Sequence, residues 1–297
     1  MYSPIIIFAF NRPDALRATL EALGKCPESK DSEAYIFVDG PRISSLTDEV
    51  LVAKTRQIAA GCSLFRNVRT FFSDTNKGLG NSIIHGVTRI LKLYKFAIVL
   101  EDDLIVMPNF LAFMNQALET YSSDKSVFSI CGYSNKVRIP DDYKYDAYFC
   151  TRSSSWGWAT WKDRWESVDW SFKKWEEWRN LKKSFNKWGG SDCFSMLKNC
   201  KDGKNQSWAI RFCFNQFLQN KLSLFPTKSL VINDGFDGNG TNCKKYSRFV
   251  YELMDNSKDK FVFPKKIQLI PSFKHQALKY HSISMRLWSK FMYLIKS

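Results

Sequence analysis

Three consecutive carboxylates, Glu101-Asp102-Asp103, follow the apolar run at residues 96–100. A run of this length with β-branched residues predicts a strand buried on both faces. Three buried like charges without partners are costly, so the triplet must lie at the strand's end or hold a cation. A hard divalent cation accepts carboxylate oxygens and shares its other positions with phosphates. The triplet therefore indicates a metal–diphosphate site, and the alternative is a solvated acidic turn.

Polar side chains also follow three earlier apolar runs. Residues 5–10 end in Asn11-Arg12, residues 35–38 end in Asp39, and residues 68–72 lead towards Lys77-Gly78-Leu79-Gly80-Asn81. Ligands of open α/β sheets gather at the carboxyl ends of strands. Converging there, these groups would form a site with charges of both signs, suited to a nucleotide with its metal.

The turn at residues 77–80 precedes a helical pattern and can offer backbone amides and one ammonium to an anion. It matches neither the P-loop nor the dinucleotide fingerprint, because Ile83 follows Asn81-Ser82. The pattern therefore argues against a P-loop ATPase and against a nicotinamide dehydrogenase.

These segments are positioned by a regular alternation of elements. Predicted strands near residues 5, 36, 69 and 98 alternate with helical patterns. The alternation predicts an α/β fold with a right-handed, mostly parallel sheet covered on both faces. Past Gly132 it gives way to polar, aromatic-rich sequence, so we place a boundary there.

Composition limits the partners and the compartment. The 297 residues carry a formal net charge of +15, which favours polyanions or anionic surfaces. Eight cysteines without C-x-x-C spacing and only three histidines predict a reduced, cytoplasmic protein without a zinc site. Neither a signal peptide nor an apolar run of transmembrane length is expected.

Eight tryptophans lie between residues 156 and 188. Trp158, Trp161 and Trp165 keep helical spacing, which predicts one helical face packed on the sheet. Trp156 and Trp158 also flank Gly157, and as exposed rings they could stack on a sugar. Acidic residues interleave with the lysines of this segment, which argues against nucleic acid as a partner.

Two later segments favour contacts outside the core. Asp234 to Asn242 is rich in glycine and predicts a mobile loop that can close over a ligand, the alternative being an ordinary long turn. The tail at residues 281–297 mixes apolar, aromatic and basic residues. It predicts either an interfacial membrane anchor or a helix packed on its own domain.

In combination, these motifs resemble a known family. Residues 5–12, Val38-Asp39, residues 77–81 and residues 100–103 resemble the donor half of GT-A glycosyltransferases. The likeness is to the mannosyl-glycoprotein N-acetylglucosaminyltransferase of the Golgi and to bacterial sugar transferases. The Ser-Trp-Gly-Trp-Ala-Thr-Trp segment at residues 155–161 resembles that family's acceptor half. The likeness extends over about residues 3–245.

The resemblance implies a GT-A fold with an α-rich acceptor-side region. Residues 1–132 would bind the nucleotide-sugar, residues 133–255 would face the acceptor, and residues 256–297 would form a basic tail. Asp103 would ligate Mn²⁺ or Mg²⁺, and Trp156 and Trp158 would contact the acceptor. The implied donor-binding set is Asn11, Arg12, Asp39, Lys77, Asn81, Glu101, Asp102 and Asp103.

The resemblance fails at the catalytic base. The family has an aspartate just before a Trp, whereas this chain reads Lys-Asn-Gln-Ser-Trp at residues 204–208. Asp192 and Asp237 are the substitutes that we predict. The expected activity is metal-dependent, inverting transfer from a UDP-sugar to a hydroxyl of a glycan, lipid-linked and at the inner face of a bacterial membrane. The alternatives are a catalytically inactive carbohydrate-binding protein and a nucleic-acid binder.

Overall fold

The computed structural model describes residues 2–235 and 248–296. The strands found in these residues are β1 (Ile5–Ala9), β2 (Glu33–Val38), β3 (Asn67–Phe72), β4 (Phe96–Glu101), β5 (Leu104–Val106), β6 (Val127–Cys131), β7 (Ala147–Cys150), β8 (Trp158–Trp161), β9 (Leu222–Pro226) and β10 (Val231–Asn233). The helices of the same residues are α1 (Pro13–Gly24), α2 (Leu46–Ala60), α3 (Leu79–Leu91), α4 (Phe110–Thr120), α5 (Lys162–Glu166), α6 (Trp175–Trp178), α7 (Lys182–Gly189), α8 (Cys193–Lys201), α9 (Trp208–Leu218), α10 (Pro271–Lys279) and α11 (Ile283–Lys296).

One large sheet organises the described part of the chain, in the strand order β3-β2-β1-β4-β8-β6-β9-β7. The pairs β1–β2, β2–β3, β1–β4 and β6–β9 are parallel. Only β7 and β8 run against the other strands described in this sheet. The predicted α/β class, with a mostly parallel central sheet flanked by helices, is confirmed.

The central strand β1 has helices on both of its faces because all of its side chains are apolar. Ile5 and Ile7 pack in a cluster with residues of α1 and α4. Ile6 and Phe8 point to the other face and pack with residues of α3 and α9. Fully covered faces are typical of strands in a parallel sheet.

The tryptophan-rich segment differs from the predicted single helical face. Residues 158–161 form strand β8, and a helix begins only at Lys162. Because side chains alternate along a strand, Trp158 and Trp161 lie on opposite faces of the sheet. Trp158 packs in the α3 and α9 cluster, and Trp161 packs in the α1 and α4 cluster.

The sheet continues across the predicted boundary at residue 132. Strand β6 precedes Gly132, and its neighbours β8 and β9 follow it. Helices α5 to α9 account for most of residues 162–218, so this part of the chain is rich in helix. The division into three regions stays a prediction.

The C-terminal residues contribute to the fold up to α10. Phe261 joins the main core, and Phe273 of α10 packs edge-to-face on Tyr148 of β7 at 5.2 Å. Beyond it, α11 leaves several large apolar side chains exposed. None of the helices described has the length and apolar character needed to span a bilayer.

Candidate functional site at the edge of β1, β2 and β4

The direction of the strand order reverses beside β1. From β1 the chain moves outward through β2 and β3 on one side, and then returns to place β4 on the other side. Ligands of open α/β sheets bind beyond the carboxyl ends of strands at such a reversal. Arg12 follows β1 there, and Asp102 and Asp103 follow β4.

Arg12 joins the two strand ends. Its guanidinium forms ion pairs with Asp102 and, at 3.1 Å, with Asp103. The backbone N–H of Phe10 donates to the Asp102 carboxylate at 3.3 Å, and the Thr19 hydroxyl donates to the Asp102 carbonyl at 2.9 Å. Asp102 is therefore fixed in place and buried, with 4% of its surface exposed.

The triplet carries more negative charge than Arg12 can balance. Burial, together with Asp103 and Asp102, raises the pKa of Glu101 to about 8. Burial also raises the pKa of Asp102 to about 6, although Arg12 acts to lower it. Burial lowers the pKa of Arg12, but the two aspartates outweigh it and raise that pKa overall. An additional cation would therefore be stabilised at this edge.

Asp103 also contacts the segment that leads into the predicted glycine-rich loop. Strand β5 begins right after Asp103 and pairs antiparallel with β10. The Asp234 N–H donates to the Asp103 carbonyl at 2.9 Å. A Cβ on Gly235 would lie 2.3 Å from the Asp103 carboxylate, so a larger residue there would force that carboxylate to move. The first residues of the predicted loop, Asp234 and Gly235, therefore lie against Asp103 of the acidic triplet. Residues 236–242 of the loop lie outside the described residues.

Asp39, at the end of β2, binds the turn before α3. Its carboxylate accepts the backbone N–H groups of Lys77 at 2.9 Å and of Gly78 at 2.9 Å. Gly78 adopts a φ of +77°, which favours glycine. The amides predicted to bind an external anion are therefore bound by a carboxylate of the chain itself. Asn81 donates to the Lys77 carbonyl at 3.0 Å and stabilises the same turn.

Asn11 has a partner within the protein as well. Its amide donates to Asp48 in the first turn of α2 at 2.7 Å, and Arg42 binds the same carboxylate through two nitrogens. Neither Arg42 nor Asp48 is among the site residues predicted from the sequence. The position of Asp48 in the first turn of a predicted helix indicates only a favourable helix-dipole interaction. Asn11 thus connects the β1 exit to the start of α2.

The residues between β2, β3 and α3 enclose a cavity of about 350 Å³. Asp39 and Lys77 line it, together with His85 and Arg89 on α3. Its position next to the carboxyl end of β2 places it beside the strand-order reversal. Its volume lies in the range of small-molecule sites.

The two predicted acceptor tryptophans have different environments. Trp156 is half-buried and packs edge-to-face on Tyr133 and Phe249, with ring centroids 4.4 and 5.3 Å apart. Trp158 is 1% exposed and stacks on Trp208 at 4.7 Å. The prediction that Trp158 is an exposed sugar platform is wrong, because this side chain is part of the sheet core.

Of the two predicted catalytic aspartates, only Asp192 is among the described residues. Asp192 is buried, and its two carboxylate oxygens accept hydrogen bonds from Arg152 at 2.7 and 3.2 Å. Burial raises the pKa of Asp192, but Arg152 outweighs it and lowers that pKa overall. A carboxylate held in this way is a poor proton acceptor, so we do not retain Asp192 as the base. Asp237 lies outside the described residues.

The acidic edge has ligand chemistry for a hard cation. Among the described residues, no three His, Cys, Asp or Glu side chains converge as a metal-binding group. Asp103 nevertheless remains accessible, with 12% of its side chain exposed, and carboxylate oxygens are ligands that Mn²⁺ and Mg²⁺ accept. Asp103 is thus the carboxylate of this edge that could hold a cation.

Comparison with known proteins gives structural matches only. No protein-family model matches the chain, and no curated protein matches it. The structure of S. aureus TarS aligns with 78% of this chain and 36% of its own, at 15% identity and a TM-score of 0.41. The structure of S. aureus TarS 1–349 in complex with UDP aligns with 78% of this chain and 60% of its own, at 14% identity and a TM-score of 0.41. The structure of UDP-glucose pyrophosphorylase complexed with UDP-glucose aligns with 77% of this chain and 91% of its own, at 13% identity and a TM-score of 0.41.

Proposed function

We propose that the protein is a GT-A glycosyltransferase that moves a sugar from a UDP-sugar to a hydroxyl of a glycan, with inversion. A single observation carries this proposal. Arg12, Asp102 and Asp103 meet where the strand order reverses, in an acidic edge that one guanidinium does not neutralise. The sequence resemblance adds the donor and the lipid-linked bacterial glycan as the acceptor.

In the proposed mechanism, Asp103 would hold Mn²⁺ or Mg²⁺ on the diphosphate side of the donor. When bound, such a cation would supply positive charge against the charge that grows on the departing diphosphate. Asp102, fixed by Arg12 and by the Phe10 N–H, orients the sugar or ribose. Arg12 and the Lys77 ammonium add positive charge on the diphosphate side. The proton acceptor stays a prediction at Asp237.

UDP-dependent stabilisation tests the donor site. With Mn²⁺ present, UDP at 100 times its Kd should add about 2.7 kcal/mol to the free energy of unfolding. Asp103→Asn should abolish the Mn²⁺-dependent part of this effect, whereas Asp142→Asn, on an exposed loop before β7, should retain it. Full stabilisation of Asp103→Asn would contradict the assignment of Asp103.

A second function, sugar-nucleotide binding without catalysis, is favoured by the environment of Asp192. Its ion pair with Arg152 removes one of the two predicted bases. Incubation with a panel of UDP-sugars and glycan acceptors separates the two functions. A transferase releases UDP in proportion to the transferred sugar, whereas a binder releases none.

We also propose that α11 attaches the protein to the cytoplasmic face of an anionic membrane. Ile283, Leu287, Trp288 and Phe291 are all more than half exposed, and their spacing places them on one helical face. Lys290 is exposed beside them. An apolar stripe with adjacent positive charge is typical of interfacial helices.

Vesicle flotation tests this attachment. The protein should float with vesicles that contain anionic lipid and much less with neutral vesicles, and added salt should weaken the binding. Leu287→Glu should reduce binding, whereas Ile43→Glu, at an exposed apolar position outside α11, should not. Equal binding to neutral and anionic vesicles would contradict the electrostatic part of this proposal.

A further inference from the structure

A second cavity, of about 200 Å³, lies between β7, α9 and the end of α10. It takes no part in the proposed donor site. Its lining includes Arg152, the serines at 153–155, Trp156 and His281. Its volume is below the ~300 Å³ lower bound for pockets that hold drug-sized ligands. The cavity is therefore suited to one sugar ring or a group of that size.

An aromatic wall borders this cavity. Tyr133 contacts Trp156, Trp156 contacts Phe249, and Phe249 contacts the His281 ring, with centroid distances of 4.4, 5.3 and 5.6 Å. Aromatic faces bind the C–H faces of sugars through dispersion and hydrophobic contact. The wall thus provides an apolar surface next to the polar Ser153–Ser155 segment.

His281, in the wall of this cavity, has an unsatisfied polar atom. Its Nδ1 is buried and has no hydrogen-bond partner among the residues that the structure describes. Buried polar atoms are almost always paired, so such an atom in a cavity wall indicates a missing ligand or water. Burial and the nearby Arg152 lower the pKa of His281 well below 6.5, so the imidazole is neutral at pH 7. Its Nδ1 can carry the proton and donate it to an oxygen.

Positive charge predominates around His281. Its strongest electrostatic partners in the described part of the chain are the guanidinium groups of Arg152, Arg248 and Arg286 and the carboxylate of Asp192. Asp192 is already paired with Arg152. Burial and the like charges of Arg152 and Arg286 lower the pKa of Arg248, as expected where cations crowd together. An anion in the cavity would relieve this repulsion.

The cavity is connected to the acidic edge through two aromatic residues. Tyr133, in its wall, contacts Tyr251 at a centroid distance of 5.6 Å. Burial and the charge of Asp234 raise the pKa of Tyr251. The Asp234 N–H in turn donates to the carbonyl of Asp103.

We propose that this cavity binds the acidic group of a charged sugar unit, a carboxylate or a phosphate, with the sugar ring against Trp156. The assignment of this unit to the acceptor rests on the proposed transferase function, whereas the binding itself does not. His281 Nδ1 donates to the anion, and the guanidinium groups provide the field that selects it. The protein then prefers glycans with an acidic sugar over neutral ones.

Binding of monosaccharides, measured by calorimetry without UDP, tests this proposal. Glucuronate and glucose 6-phosphate are the two acidic probes, and glucose is the neutral probe. At least one acidic probe should bind at least about tenfold more tightly than glucose, because hydrogen bonds to charged groups are the stronger ones. The acidic probe with the higher affinity shows whether the cavity prefers a carboxylate or a phosphate.

Variants locate the binding in the cavity. His281→Phe keeps the ring contact with Phe249 and should weaken acidic-probe binding at least about tenfold, without a comparable effect on glucose. The double variant Arg152→Met with Asp192→Leu removes the buried pair as a unit, which avoids an unpaired charge. It should lose the preference for acidic probes. Lys187→Gln, on α7, is the matched control and should bind all three probes as the unaltered protein does.

Two results would overturn the proposal: equal affinity for glucose and both acidic probes, or acidic-probe binding that His281→Phe and the double variant leave unchanged. UDP binding is measured separately on the same samples. Acidic-sugar binding without UDP binding would refute the transferase function and leave the cavity site intact. UDP binding without acidic-sugar binding would refute the site alone.

Discussion

The imidazole of His281, whose Nδ1 is buried, predicts a loss of stability in mild acid. The imidazole is held neutral in the folded protein, with a pKa well below 6.5, by burial and by the guanidinium groups of Arg152, Arg248 and Arg286. Asp192 acts in the opposite direction but is paired with Arg152. In the unfolded chain the same imidazole titrates near 6.5. Below that pH the unfolded state binds a proton that the folded state does not.

The sign and size of the effect follow from this difference. Stability rises with pH wherever the unfolded state binds more protons, so above about pH 7.5 the titration of His281 no longer lowers the free energy of unfolding. The free energy of unfolding decreases as the pH falls through 6.5. With the folded imidazole still neutral, the loss at pH 5.5 is about 1.4 kcal/mol in the free energy of unfolding.

Urea unfolding at pH 7.5 and 5.5 measures this loss. Glu101 and Asp102 also have shifted pKa values, so the informative quantity is the difference between the protein and its His281→Phe variant. The variant should lose about 1.4 kcal/mol less between the two pH values. His275→Gln, at an exposed position of α10, is the control and should behave as the unaltered protein. Identical pH dependence in His281→Phe would refute the reasoning.

Three further predictions use the core, the turn before α3 and the acidic edge. Trp158→Ala should destabilise the protein by about 3–5 kcal/mol in urea unfolding, because its ring is fully packed. Asp39→Ala should cost about 1–3 kcal/mol for each backbone N–H that it leaves unpaired, and the Lys77 amide should exchange with solvent faster. Gly235→Ala should displace the Asp103 carboxylate and weaken Mn²⁺-dependent UDP binding by about tenfold, with little change in the urea midpoint. An unchanged urea midpoint in Trp158→Ala would contradict the first prediction, and an unchanged exchange rate of the Lys77 amide in Asp39→Ala would contradict the second. Unchanged UDP binding in Gly235→Ala would contradict the third.

Much of the fold could be predicted from the sequence because the periodicity of its first third is unambiguous. Four apolar runs separated by helical patterns leave a parallel sheet as the simplest arrangement, and the structure confirms it. The tryptophans after residue 156 were harder to predict. Their spacing suits a helix, but sheet pairing with β4 and β6 makes residues 158–161 a strand and buries Trp158.

The roles of individual site residues depended more on the groups that they contact in the folded protein than on their position in the sequence. Asp39 follows a strand as predicted, yet its carboxylate binds the Lys77 and Gly78 amides. Asp192 was selected as an available carboxylate, and the structure pairs it with Arg152. In each case the partner is distant in the chain, so no local pattern could reveal that the carboxylate was already occupied.

Over about residues 5–100, the sequence by itself determined the order of strands and helices and the polar residues at the strand ends, because both follow from local hydrophobic periodicity. Only the tertiary structure decided which of those charges meet. Arg12 bridges Asp102 and Asp103 because the strand order reverses between β1 and β4. His281 and Arg152 border one cavity because α10 packs on β7. Electrostatic interactions fall off with distance, and distances between remote residues exist only once the chain has folded.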